Sequence, residues 1–206
     1  EGEIQYENFN AARAVVEFTG VNVHPGSSKN TMVNAALVAI EFNSMLPSAD
    51  TPRDTEEYEG FFHLDAMNGN VSTAMLDYII RDHDVASFDC RLKTMEHIAK
   101  ILNEKWGEGT VKLTITEQYR NMKEIIDTCM ELIDCATAAC KECGTPALIT
   151  PIRGGTDGAR LSFMGVPCPN LGTGGHAFHG PYEHITVEGM DIAVEVGLKI
   201  IELFYK

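Results

Sequence analysis

Val111-Lys112-Leu113-Thr114-Ile115-Thr116 alternates apolar and polar side chains at every step. That is the period of a strand with one face on a core and the other in water. Just upstream the period changes. Val85, Phe88, Leu92, Met95, Ala99 and Leu102 recur at three- and four-residue steps behind Asp84, a good cap, and Gly107 and Gly109 close the segment. A helix therefore feeds this strand. Further out, Phe61–Met67 and Met75–Arg81 read as two short strands, and the acidic, proline-containing stretch 48–59 before them as a loop. Asn30 can cap a helix that buries Val33, Ala36, Leu37 and Ile40 and stops at Pro47. Ala11 to Val23 is rich in β-branched and aromatic residues and supplies another strand. The order β-α-β-β-α-β is the ferredoxin-like arrangement, with two helices on one face of the sheet and the other face open. An open face or edge of this kind is an association surface, so a dimer is expected.

Beyond residue 120 the chain changes character. The spacing predicts a long helix over about 122–142, a short strand at Ala147-Leu148-Ile149 and a short helix after Asp157. A strand near Cys168–Leu171 and a last helix follow, the helix with Ala193, Val196, Gly197, Ile200, Ile201 and Phe204 on one stripe. Three helices and two short strands are too few for a covered α/β sheet, so further strands are expected from a missing segment or another chain. The reading divides the chain into a ferredoxin-like domain, residues 1–120, and part of an α/β domain, residues 121–206.

Thirty acidic residues against sixteen Lys plus Arg give a net charge of −14. Such a surface repels phosphate backbones and anionic lipid, which argues against nucleic-acid and membrane partners. No apolar run approaches a membrane span, and the acidic start Glu1-Gly2-Glu3-Ile4-Gln5-Tyr6-Glu7 lacks the layout of a secretion signal. Cys129 and Cys140 fall on the apolar stripe of the 122–142 helix, and Cys140-Lys141-Glu142-Cys143 has no second pair to make a zinc site. Free thiols fit a reducing cytoplasm.

Half of the eighteen glycines and five of the eight prolines lie between Gly144 and Pro181, a density that marks site-bearing loops. Pro151-Ile152-Arg153-Gly154-Gly155-Thr156-Asp157-Gly158 follows a strand and opens a helix, the usual ligand crevice of α/β folds. Gly154 and Gly155 permit close backbone approach, Thr156 can cap, and the forked Arg153 suits a carboxylate or phosphate. The same run also reads as a structural turn with a surface arginine. In Gly174-Gly175-His176-Ala177-Phe178-His179-Gly180-Pro181-Tyr182-Glu183-His184, three histidines and a glutamate invite a metal, or form a loop of solvated imidazoles. His24-Pro25-Gly26 sits where a strand hands over to a helix, with Pro25 fixing the turn; a lone loop histidine is inert or catalytic. Arg81, ending a strand, is equally open. His63, His83 and His97 carry no functional signal.

His24-Pro25-Gly26, Tyr78-Ile79-Ile80-Arg81-Asp82, Pro151 to Gly158 and Phe178-His179-Gly180…Glu183 together, in this order, resemble the peptidase T family. These are cytosolic aminotripeptidases in the wider clan of two-zinc aminopeptidases, carboxypeptidases and deacylases, and the resemblance covers essentially the whole chain. It implies that residues up to about 120 are a lid inserted into the catalytic domain and used for dimerisation. It implies His179 as a zinc ligand, and His24 as the group that swings in to stabilise the oxyanion. Arg81 and Arg153 are implied to bind the negative end of a peptide substrate. The family's remaining ligands, its bridging aspartate and its base glutamate lie upstream of the point matching Glu1, so at most one ligand of the two-zinc site is expected here. The family commonly has asparagine two residues before the ligand histidine, and this chain has Ala177 there, which implies one supporting hydrogen bond fewer.

The reading is thus part of a zinc aminopeptidase acting on tripeptides, inactive by itself and partnered by a second copy or by the missing half. A non-catalytic association module and a carboxypeptidase or amidohydrolase of the same clan are the alternatives.

Overall fold

The computed structural model describes residues 1–205, in two compact units. Phe9–Tyr119 form the first; Glu1–Asn8 together with the chain from Arg120 onward form the second. The chain opens with β1 (Glu3–Gln5) and β2 (Asn10–Thr19), makes a 3₁₀ turn at Pro25–Ser27 and enters α1 (Ala35–Met45). The hairpin of β3 (Phe61–Gly69) and β4 (Thr73–Asp82) leads to α2 (Val85–Trp106) and β5 (Val111–Tyr119). Then come α3 (Lys123–Ile126), α4 (Glu131–Glu142), β6 (Leu148–Ile149) and α5 (Asp157–Phe163). β7 (Asn170–Leu171), β8 (Gly175–His176), β9 (His184–Ile185) and α6 (Val187–Tyr205) complete it. No helix of the described residues is long and apolar enough to cross a membrane.

In the first unit the sheet runs β3-β4-β2-β5, antiparallel throughout, which is the strand order of the expected ferredoxin-like arrangement. β2 and β4 pair over ten residues, from Asn10↔Asp82 to Thr19↔Thr73. Strict alternation puts Ala12, Ala14, Val16 and Phe18 of β2 and Leu76, Tyr78 and Ile80 of β4 on the helix side. There they pack with Phe42 of α1 and with Phe88, Met95 and Leu102 of α2, all fully buried. Each large side chain so covered contributes about 1.5–3 kcal/mol. α2 begins where expected, with the Asp84 carboxylate accepting the Ser87 N–H at 2.7 Å; those N–H bonds hold its pKa below the usual range. At the strand–helix junction Arg91 bridges Asp50 and the buried Asp82.

α1 departs from expectation. Asn34, not Asn30, is its cap, accepting the N–H groups of Ala36 and Leu37. Asn30 lies in a turn at φ +60°, and Val33 bridges Val21 in extended backbone. The buried face is Ala35, Val38, Ala39 and Phe42, while Leu37 and Ile40 are 61% and 54% exposed. This helix is apolar on nearly every side, so two stripes compete, and the one carrying the largest ring takes the core.

In the second unit β1 is the central strand of the order β6-β1-β7, parallel to β6 and antiparallel to β7. One of the strands expected from elsewhere is therefore residues 3–5 of this chain, and Glu1–Asn8 go with this unit rather than with residues 9–119. Asn8 and Asn121, both buried, hold the segment: the Asn8 N–H donates to Asn121 Oδ1, and the Met122 N–H to Asn8 Oδ1. The core is Ile4, Met122, Ile126, Ile133, Ala136, Ala139, Cys140, Ala159 and Val196.

The single helix expected over 122–142 is broken into α3 and α4. The Ile125 carbonyl accepts both the N–H and the hydroxyl of Thr128, so a tight turn replaces the helical bond it would otherwise make. On α6 the seam is Gly189, Ile192, Val196, Ile200 and Leu203, whereas Ile201 and Phe204 of the expected stripe face outward. A second stripe, Val187, Met190, Val194, Leu198 and Ile201, is wholly exposed. The six cysteines are free thiols, Cys140 buried and Cys129 half-buried on the α4 side as the stripe predicts.

Candidate functional site

His24 caps the turn at Pro25–Ser27. The Gly26 N–H donates to His24 Nδ1 at 3.1 Å. A ring nitrogen that accepts carries no proton, so Nε2 bears it, and the exposed ring presents a hydrogen-bond donor outward. A β-carbon at position 26 would lie 3.1 Å from the ring's Cε1 and 3.2 Å from Nδ1, so a larger residue would push the imidazole aside by a few tenths of an ångström.

Arg81 is half-buried on the sheet face away from the helices. It donates to the Ala12 and Ile80 carbonyls and to Gln118 Oε1, and its guanidinium lies 5.3 Å from the centroid of Tyr119. Ala11 stands between Arg81 and Tyr119 in the register and is fully buried, its small side chain leaving the arginine room to cross β2. Burial lowers the arginine's pKa, and burial raises that of Tyr119. The register separates the two candidates of this unit. Arg81 pairs with Ala11 near the start of β2, and His24 follows Thr19 at its end, about 27 Å along the strand.

In the second unit the Pro151–Gly158 run leaves the carboxyl end of β6, as expected of a crevice-forming loop. Arg153 is half-buried in its bend. Thr156 Oγ1 accepts the Ala159 N–H and also the Asn170 side-chain amide, both at 3.1 Å, which ties α5 to β7. Within the chain, Gly158 is a glycine that close packing requires. A β-carbon at 158 would sit 2.4 Å from the Cys168 carbonyl, while Gly154 has only a methyl at 3.9 Å and neither Gly154 nor Gly155 has positive φ. α5 has only seven residues, so its dipole is weak.

The His179 loop joins β8 and β9. Ala177 and His179 both adopt left-handed backbone, φ +54° and +62°, which non-glycine residues occupy at a cost of about 1–2 kcal/mol each. The Glu183 carboxylate accepts the His179 N–H at 2.8 Å and closes the loop. Glu183 is thus a positioning residue whose signal was already in the His-x-x-x-Glu spacing. The His179 ring is exposed. Tyr119, by contrast, left no signal, since only the β4-β2-β5 order brings it to Arg81.

A zinc site needs three protein ligands at least. Among the described residues no group of three His, Cys, Asp or Glu is placed to hold an ion. His179 on its own does not make a metal centre.

The family model of the peptidase dimerisation domain matches residues 6–110. Peptidase T of Clostridium perfringens is 54% identical over 203 residues, 98% of this chain and 50% of its own length. The chain therefore spans about half the length of the curated relatives it matches. The fold is similar to that of the aminopeptidase PepT from Bacillus cereus, with a TM-score of 0.84 at 19% identity over 100% of this chain and 54% of the other. A tripeptidase from Staphylococcus aureus also superimposes with a TM-score of 0.84 at 19% identity, over 98% of this chain and 53% of its own.

Proposed function

The chain belongs to the peptidase T family, whose members carry this dimerisation domain, and from that footing we propose that it is the lid and the C-terminal part of the catalytic domain of a zinc aminopeptidase that takes the N-terminal residue from tripeptides. The observation that carries this reading is the 54% identity to peptidase T along nearly the whole chain. The exposed stripe of α6 and the two- and three-residue strands beside it support the second half of the reading. They are an apolar helix face and a sheet fragment of the kind that a larger catalytic domain covers.

Roles follow from the geometry of each side chain. His24, with its proton on Nε2, donates to the oxyanion that forms on the scissile carbonyl. Arg81, braced by two carbonyls and an aromatic ring, and Arg153 bind the carboxylate end of the peptide. His179 supplies one ligand of a two-zinc centre, and the other ligands and the general base belong to the half of the relatives' length that this chain does not match. With His24 and Arg81 at opposite ends of one sheet, the two serve different ends of a substrate or different copies in a homodimer. The free thiols accord with action in the cytoplasm.

The test is to assay tripeptide hydrolysis by the 206-residue chain alone and joined to the unmatched half of Clostridium perfringens peptidase T. The expected result is hydrolysis only by the joined protein. Activity of the chain alone, or a folded joined protein that is inactive with zinc, overturns the reading. In the active joined protein, His24→Ala lowers kcat on the order of 10²-fold with little change in KM. An unchanged kcat would reduce His24 to a turn residue.

A further inference from the structure

The pairing of β2 with β5 is regular from Phe18↔Val111 to Ala12↔Glu117 and then steps by one residue, to Ala11↔Tyr119. Gln118 is the extra residue and has no partner across the ladder, which makes the step a β-bulge. Side chains alternate along a strand, so a one-residue step reverses every side chain beyond it. In a regular ladder Gln118 would stand opposite Ala11, and Tyr119 would point to the helix side. With the bulge, Tyr119 stands opposite Ala11 on the open face, where Arg81 flanks Ala11 from β4. Both residues of the bulge reach that arginine. Gln118 Oε1 accepts from Nη2 at 3.1 Å, and the guanidinium carbon lies over the Tyr119 ring.

Arg81 differs from the other arginines of this sheet in what surrounds it. Arg13 and Arg91 each pair with an aspartate. Arg81 is half-buried in a chain with a net charge of −14, yet among the described residues no carboxylate pairs with it. Its partners are neutral. Nη1 donates to the Ala12 and Ile80 carbonyls and Nη2 to Gln118, which fixes the plane of the fork, and the Tyr119 ring packs against that plane. A long side chain held in this way loses less conformational freedom when it takes an anion than one that swings freely in water. The bulge therefore braces a cation and leaves its charge uncompensated.

We propose that Gln118 and Tyr119 are positioning residues that aim Arg81 at the C-terminal carboxylate of the peptide, and that the β5 bulge is the device that turns both toward it. The inference rests on the carboxylate-binding role given to Arg81 above.

The experiment compares trialanine with trialanine amide, which lacks the carboxylate, as substrates of the active joined protein. Arg81→Ala is expected to abolish the preference for the acid. Tyr119→Leu is expected to lower that preference about tenfold, through KM rather than kcat, and Gln118→Ala about threefold. Tyr119→Phe, which keeps the ring, is expected to retain most of it. If Arg81→Ala removes the preference while Tyr119→Leu and Gln118→Ala leave it intact, or slow acid and amide alike, the inference fails and the role of Arg81 stands. If Arg81→Ala leaves the preference unchanged, that role fails and the inference with it. A readout independent of activity is the Arg81 Nε–H resonance of the 206-residue chain, assigned by its loss in Arg81→Lys. Removing the ring in Tyr119→Leu should shift it, and a resonance that stays in place also overturns the inference.

Discussion

The two units are built from similar amounts of apolar sequence and reach different ends. In the first, four strands of nine or ten residues run beside two helices, and the two central strands bury their inner-face side chains while Leu64, Leu113 and Ile115 of the outer strands are half-buried. In the second, strands of two and three residues leave Leu148, Ile149 and a whole stripe of α6 exposed. The first closes its core with its own residues; the second makes half a core and an apolar surface. Functional loops follow the same division. The first unit presents a histidine as a donor, with Nδ1 capped by a backbone N–H, whereas His184 in the second has Nδ1 on a carbonyl and its lone pair turned outward. One side chain serves opposite chemistry because the neighbouring backbone group differs.

The contrast breaks most clearly in hydrogen exchange. The Tyr78 amide sits in β4, paired on both sides, while the Leu148 and Thr150 amides bond to Gly2 and Ile4 at the edge of a short ladder. Tyr78 should exchange on the order of a thousandfold more slowly, about 4 kcal/mol, because it opens only with the unit's core. Protection within tenfold would mean that the second unit is as closed as the first.

A smaller effect has opposite signs in the two units. Ala14→Gly on β2 removes a buried methyl and frees the backbone, and should destabilise by about 1–1.5 kcal/mol. Ala177→Gly relieves a left-handed alanine and should stabilise by about 0.5–1 kcal/mol. Thermal unfolding of both variants checks the pair, and equal signs would remove backbone strain as a distinction of the His179 loop.

The smallest effect concerns the open sheet face. The Arg13 guanidinium grips Asp77 in two directions and holds its carboxyl below the usual carboxylate range. A carboxyl whose folded pKa is depressed adds stability that is complete above its unfolded value, near 4, and lost as pH falls through the folded value. Asp77→Asn should therefore lower stability slightly at pH 7, with the difference shrinking to nothing as pH falls below about 4, so that the acid limb of the profile flattens. Denaturant midpoints across that range read the difference, and an unchanged acid slope would show that the pair is solvated.

How much of this was legible depended on how one-sided each segment is. α2 and β5 were read almost to the residue because polar and apolar positions separate cleanly. In α1 and α6 apolar residues lie on several faces, so composition marked a helix but not its buried side. The break at Thr128 was hidden because a hydroxyl competing for a carbonyl looks, in sequence, like any polar helix residue. Of the site, the Arg153 run and the His179–Glu183 spacing stood out as motifs. The need for glycine at Gly158 did not stand out, because only the packing of α5 against the chain at Cys168 creates it.

By itself the sequence determined the β-α-β-β-α-β order, the residue types available for chemistry and the peptidase T family, since periodicity and spacing are local properties of a chain. The tertiary structure alone decided that residues 3–5 are a central strand, that Arg81 lies on Tyr119 across Ala11, and that His176 faces His184. Each joins positions distant along the chain through strand order, register or a hydrogen-bonded tautomer, and a local pattern carries no record of those.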